Sequence, residues 1–142
     1  MATAGDVCDD PRVTVTVNSG VDAKLFYNRS NHENDKHFTG YRAYALSQLF
    51  ASIKKTGSEG VCVGPKKAIC LTGKAVFKKV NQSLLMIKIA NVAVNDSGKY
   101  VVVAVFSDIH NDTDTEKCLQ VHHLNVSGKQ WIRSEERRVG KE

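Results

Sequence analysis

Three kinds of side chain in this 142-residue chain are chemically equipped to act: histidines, a serine between aspartate and glycine, and four cysteines. His110 and the pair His122-His123 offer imidazoles for metal ligation or proton transfer. A metal or catalytic site needs further ligands or an orienting acid at matching spacing, and neither carboxylate nor cysteine stands there. Ser97 lies in Asp96-Ser97-Gly98, not in a Gly-x-Ser-x-Gly elbow, and no phosphate-cradling glycine loop occurs. The cysteines contain no Cys-x-x-Cys pair of the kind zinc sites use, and they allow three disulfide pairings. The pattern therefore predicts no enzyme, no metal and no cofactor, and the histidines read as a solvated edge.

A different chemistry is written more often. Asn28, Asn81, Asn95, Asn111 and Asn125 each begin an Asn-x-Ser/Thr triplet. Nine asparagines followed at random by the usual share of Ser or Thr would give roughly one such triplet. Five predict passage through the secretory pathway, where disulfides also form. The net charge of +5 comes from scattered pairs such as Lys54-Lys55, Lys66-Lys67 and Lys78-Lys79, without the aromatic-basic pattern of a nucleic-acid platform. No apolar run approaches the roughly 20 residues of a membrane span.

The elements that must carry these residues read as strands. Short alternating or apolar runs are separated by Gly, Asn, Asp and Ser clusters, the all-β pattern. Strands are expected over residues 13–17, 23–27, 75–80, 84–94, 99–106 and 119–126. Residues 41–46 and 48–53 are expected to form a strand pair or one bent strand. A hairpin-like segment is expected over 61–71, with Gly64-Pro65 at its tip. About nine strands at this spacing predict a two-sheet sandwich in a single domain.

One stretch is specific. Ile87, Ile89, Asn91, Val92, Asp96, Ser97, Gly98 and Tyr100 fall on an L-x-I-x-N-V-x-x-x-D-S-G-x-Y pattern, which resembles the crossing from strand E to strand F of immunoglobulin domains. The resemblance implies an all-β Greek-key sandwich of V type over residues 12–127. Ile87, Ile89 and Val92 would face the core, Gly98 would permit a tight corner, and Tyr100 would bond back to the turn. Asp96 would pair with Lys74 or Lys78. The chain departs from the family at the usual B–F disulfide, where Tyr27 and Val102 stand, and at the strand-C tryptophan, for which Tyr44 is the nearest stand-in. This departure is similar to the amino-terminal domains of the carcinoembryonic-antigen-related adhesion molecules and of receptors related to signalling lymphocytic activation molecule.

The resemblance also implies pairings and a face. In V-type domains the first strand runs parallel to the last, so Cys8 would join Cys118, and Cys62 would join Cys70. Tyr100 and Val102 inward would send Val101, Val103 and Val105 outward, giving a partner-binding face with Arg42, Gln120 and His122 as polar neighbours. The partner would be another protein, either a related immunoglobulin-like domain or a second copy. The implied function is a non-catalytic, extracellular binding domain of an adhesion or immune-recognition receptor. A secreted or virus-encoded decoy and an intracellular structural module are the competing expectations. At the ends, Ala2-Thr3-Ala4 has the form of a signal-peptidase site, and residues 133–142 resemble a translated sequencing adapter following a break near Trp131. Any membrane attachment would come through a segment outside this chain.

Overall fold

The computed structural model describes residues 12–108 and 113–128. Ala2-Thr3-Ala4, Cys8, His110, Asn111, Trp131 and residues 133–142 lie outside the described residues. The elements are β1 (Arg12–Asn18), β2 (Ala23–Asn28), β3 (Phe38–Ala45), β4 (Gln48–Lys54), β5 (Val61–Cys62), α1 (Lys67–Leu71), β6 (Ala75–Lys79), β7 (Leu84–Ile89), a 3₁₀ turn (Val94–Asp96), β8 (Gly98–Asp108) and β9 (Thr113–Ser127). Six strands form one sheet in the order β1-β9-β8-β3-β4-β5, and three form the other in the order β2-β7-β6. The result is an all-β immunoglobulin-like sandwich. β1 runs parallel to β9, and every other pairing is antiparallel.

Alternation places the core between the sheets. β2 sends Ala23, Leu25 and Tyr27 inward, β7 sends Leu85, Ile87 and Ile89, and β8 sends Tyr100, Val102 and Ala104. The sheets lack a disulfide at the Tyr27 and Val102 positions, and both residues are fully buried. The Tyr27 hydroxyl crosses between the sheets and donates to the carbonyl of Tyr100 at 2.8 Å. Such a bond contributes about 1 kcal/mol net, against about 2–4 for a covalent link, so apolar packing carries the remaining cohesion. The His122 ring stands edge-on to Tyr27 with centroids 4.3 Å apart.

The E–F corner is closed at several points. The Tyr100 hydroxyl donates to the Asp96 carbonyl at 2.6 Å, and Lys74 Nζ meets Asp96 Oδ2 at 2.9 Å while also donating to the carbonyls of Ala90 and Asn91. Gly98 is required here because a Cβ would strike the Leu46 side chain, and its φ of +145° suits glycine alone.

Two expectations need correction. Residues 61–71 are not a hairpin: after β5 the chain turns at Gly64 and forms the one-and-a-half-turn helix α1, which places Cys70 beside Cys62, and the two are disulfide-bonded. Residues 90–94 leave β7 for the corner, since Asn91 adopts a left-handed φ of 46° that no strand continues through.

Candidate interaction face

The outer face of the six-stranded sheet follows from its register. Opposed side chains in an antiparallel ladder share a face. One row therefore holds Lys54, Gly40, Val105 and Glu116, the next Ser52, Arg42, Val103 and Cys118, and the third Leu49, Tyr44, Val101 and Val121. Val101, Val103 and Val105 do point outward, but they are not exposed surface: their exposures are 0, 0 and 4%. They form a second apolar cluster with Tyr44 and Val121, flanked by Leu49 and Cys118. β8 is thus buried on both faces, as the central strand of a wide sheet.

A polar layer lies over this cluster. Arg42 Nη1 donates to Glu116 Oε2 at 2.6 Å and Nη2 to Asp114 Oδ2 at 2.8 Å, tying β3 to β9 across β8. The Tyr44 hydroxyl donates to the same Glu116 oxygen at 2.7 Å, and partial burial beside that carboxylate raises its pKa. Beside Arg42 the sheet has a recess of about 210 Å³ lined by Gly40, Ser52, Lys54 and Val105 among others. Gly40 is needed in this row because any Cβ there would collide with the Ile53 carbonyl of the neighbouring strand.

Three residues sit elsewhere than the sequence reading put them. His122 pairs with Tyr100 and points between the sheets, not onto the outer face. It is 6% exposed, its Nδ1 has no hydrogen-bond partner, and burial lowers its pKa. Gln120 stands opposite Val102, hence on the inner side, because a bulge at Leu119 resets the ladder. Tyr44 cannot replace a core tryptophan, since it shares the outward parity of Arg42. The sequence reading also missed Asp114 and Glu116, whose alternation along β9 was the available signal.

Among the other site residues, Cys118 is disulfide-bonded and lies on the outer face. Asn28, Asn81, Asn95 and Asn125 are exposed. Asn28 ends β2, Asn81 lies in the β6–β7 turn, Asn95 in the corner and Asn125 on β9. A second polar cluster fixes the chain after β2: Arg29 makes paired bonds of 2.8 and 2.7 Å to Glu33, the Tyr41 hydroxyl donates to Glu33, and Arg29 also reaches the Asn81 carbonyl. Arg29 lowers the Glu33 pKa. Among the described residues no three or more His, Cys, Asp or Glu side chains gather to hold a metal, and no helix is long and apolar enough to cross a membrane.

Neither a protein-family model nor a curated protein sequence matches the chain. Solved structures do match in fold. A chain from a study of T cell specificity and activation by the bacterial superantigen toxic shock syndrome toxin-1 is 18% identical, with a TM-score of 0.53, over 83% of this chain and 95% of that one. A chain of the ZIG-8–RIG-5 IG1–IG1 heterodimer is 14% identical, with a TM-score of 0.51, over 83% of this chain and 84% of that one.

Proposed function

We propose that this chain is a non-catalytic, extracellular V-type binding domain that engages another immunoglobulin-like domain, its own second copy included, through the outer face of the six-stranded sheet. The observation that carries the reading is the fixed polar layer over a buried apolar cluster. Arg42, Glu116, Asp114 and Tyr44 are held in one geometry by mutual bonds, so a partner meets a surface already ordered and loses little side-chain entropy on docking. The contact is therefore polar and shape-based, with the valines as its support and not its surface. The recess beside Arg42 gives the face relief for a partner side chain. The C′ and C″ positions occupied by β4 and β5 suit the V-type assignment. The IG1–IG1 heterodimer formed by a structural neighbour supports a partner of the same fold. The Cys62–Cys70 bond and the exposed sequons support an extracellular setting, on the cell surface or secreted.

The test is binding of the secreted chain to itself, by sedimentation, and to individually displayed cell-surface immunoglobulin domains. Lys54→Glu and Ser52→Arg at the recess are expected to weaken the interaction at least tenfold, while Lys24→Glu on the other sheet leaves it unchanged. An interaction lost with Lys24→Glu and untouched by the two recess variants would overturn the reading.

A further inference from the structure

The outer face of the three-stranded sheet carries a half-open apolar row beside a sequon. On β2 the outward residues are Lys24, Phe26 and Asn28; Phe26 stands opposite Met86 and Asn28 opposite Leu84. The next residue across is Val80, whose amide bonds to the Leu84 carbonyl. Phe26 is 44% exposed and Val80 43%, while Met86 opposite Phe26 is 6% exposed, so this end of the sheet has an apolar floor that is partly open to solvent. Asn28 is exposed, and Arg29-Ser30 complete its triplet. Residues two apart on a strand stand on one face about 7 Å apart, so the first sugar on Asn28 reaches back over the Phe26 ring. The apolar C–H face of a pyranose ring complements the electron-rich face of an aromatic ring and removes it from water.

We infer that Asn28 carries an N-linked glycan whose first sugar packs on Phe26 and completes the three-stranded face. The inference rests on the extracellular reading above. In the transfer, the Asn28 carboxamide nitrogen bonds to the anomeric carbon of a lipid-linked oligosaccharide. The bond from that carbon to the lipid pyrophosphate breaks, the pyrophosphate leaves, and the amide gives up one proton; nothing is oxidised or reduced. Asn81, Asn95 and Asn125 are exposed too, but the residues two positions before them are Lys79, Ala93 and His123, so none has a phenyl ring at that place.

The experiment secretes the full chain from a eukaryotic host, maps glycopeptides, and trims the glycans to a single sugar. Asn28 is expected to be occupied. The trimmed protein is expected to melt about 4 °C above Asn28→Gln. With Phe26→Thr the difference between the glycosylated chain and Asn28→Gln should vanish. Independently of stability, the first sugar's protons should show upfield NMR shifts from the Phe26 ring. Asn28 left bare while another sequon is occupied, a melting difference unchanged by Phe26→Thr, or unshifted sugar protons would each overturn this inference alone. A chain bare at every sequon overturns the extracellular reading with it.

Discussion

The two outer faces of the sandwich solve the same problem in opposite ways. On the six-stranded sheet, apolar outward residues are covered from within the chain: Val101, Val103 and Val105 lie under Tyr44 and a network in which one arginine serves two carboxylates. On the three-stranded sheet, Lys24 and Lys88 stand directly opposite each other, Lys78 faces Met86, and the ion pair present is Lys88 with Asp22 at 3.7 Å. Phe26 and Val76 remain 44% and 38% exposed there. A wide sheet has neighbouring strands on both sides of its centre and can bury its outward residues laterally. A three-stranded sheet has only one interior strand: Met86 on it is 6% exposed, whereas Phe26 and Val76 on the flanking strands stay partly open to whatever is added from outside.

The sharpest way to break this contrast is to place the same charge on both faces. Val103→Asp is expected to cost about 4 kcal/mol in chemical denaturation, because an unpaired carboxylate enters a dry cluster. Phe26→Asp on the unglycosylated chain should cost under about 0.5 kcal/mol. Equal losses would mean the valines are not buried as described. Next in size, Arg42→Leu leaves Glu116 and Asp114 facing each other over apolar side chains, and about 1.5 kcal/mol is expected to be lost, more at low salt than at high.

Acid probes the space between the faces. Burial holds His122 neutral, so its pKa in the folded chain lies below the ordinary value of about 6.5. Above that value the residue leaves stability independent of pH. As pH falls through it, the unfolded chain binds the proton first and stability drops until the folded pKa is reached. Urea midpoints measured from pH 7.5 to 5 should fall, and His122→Phe should flatten that part of the profile. A gain is expected from Lys24→Glu, which turns a like-charged cross-strand pair into an attractive one and should raise stability by about 0.5 kcal/mol in the same denaturation assay.

Much of this arrangement was legible in the chain. The run from Ile87 to Tyr100 specified the corner, and alternation in β8 put the three valines on the outside. Their burial was not legible, since it depends on Tyr44, Leu49 and Val121 arriving from other strands. The errors came from not carrying parity through a strand. Arg42 outward requires Tyr44 outward, and Leu124 and Val126 inward require His122 inward. Gln120 was harder, because the bulge at Leu119 interrupts the period without marking the sequence with glycine. The helix after Gly64 was hidden by its length, as five residues show no helical repeat.

The hydrogen bond from Tyr27 to Tyr100 has a consequence for the order of assembly. A covalent tie between sheets waits for an oxidant and for correct partner selection, steps that run from seconds to hours. Here the tie closes in the same event that packs the rings, so the two sheets can find each other before any cysteine has reacted. The Cys62–Cys70 bond closes only a short local loop, eight residues apart in sequence, and does not tie the two sheets together. A reductant added to the finished domain should loosen that loop first and leave the sheets together.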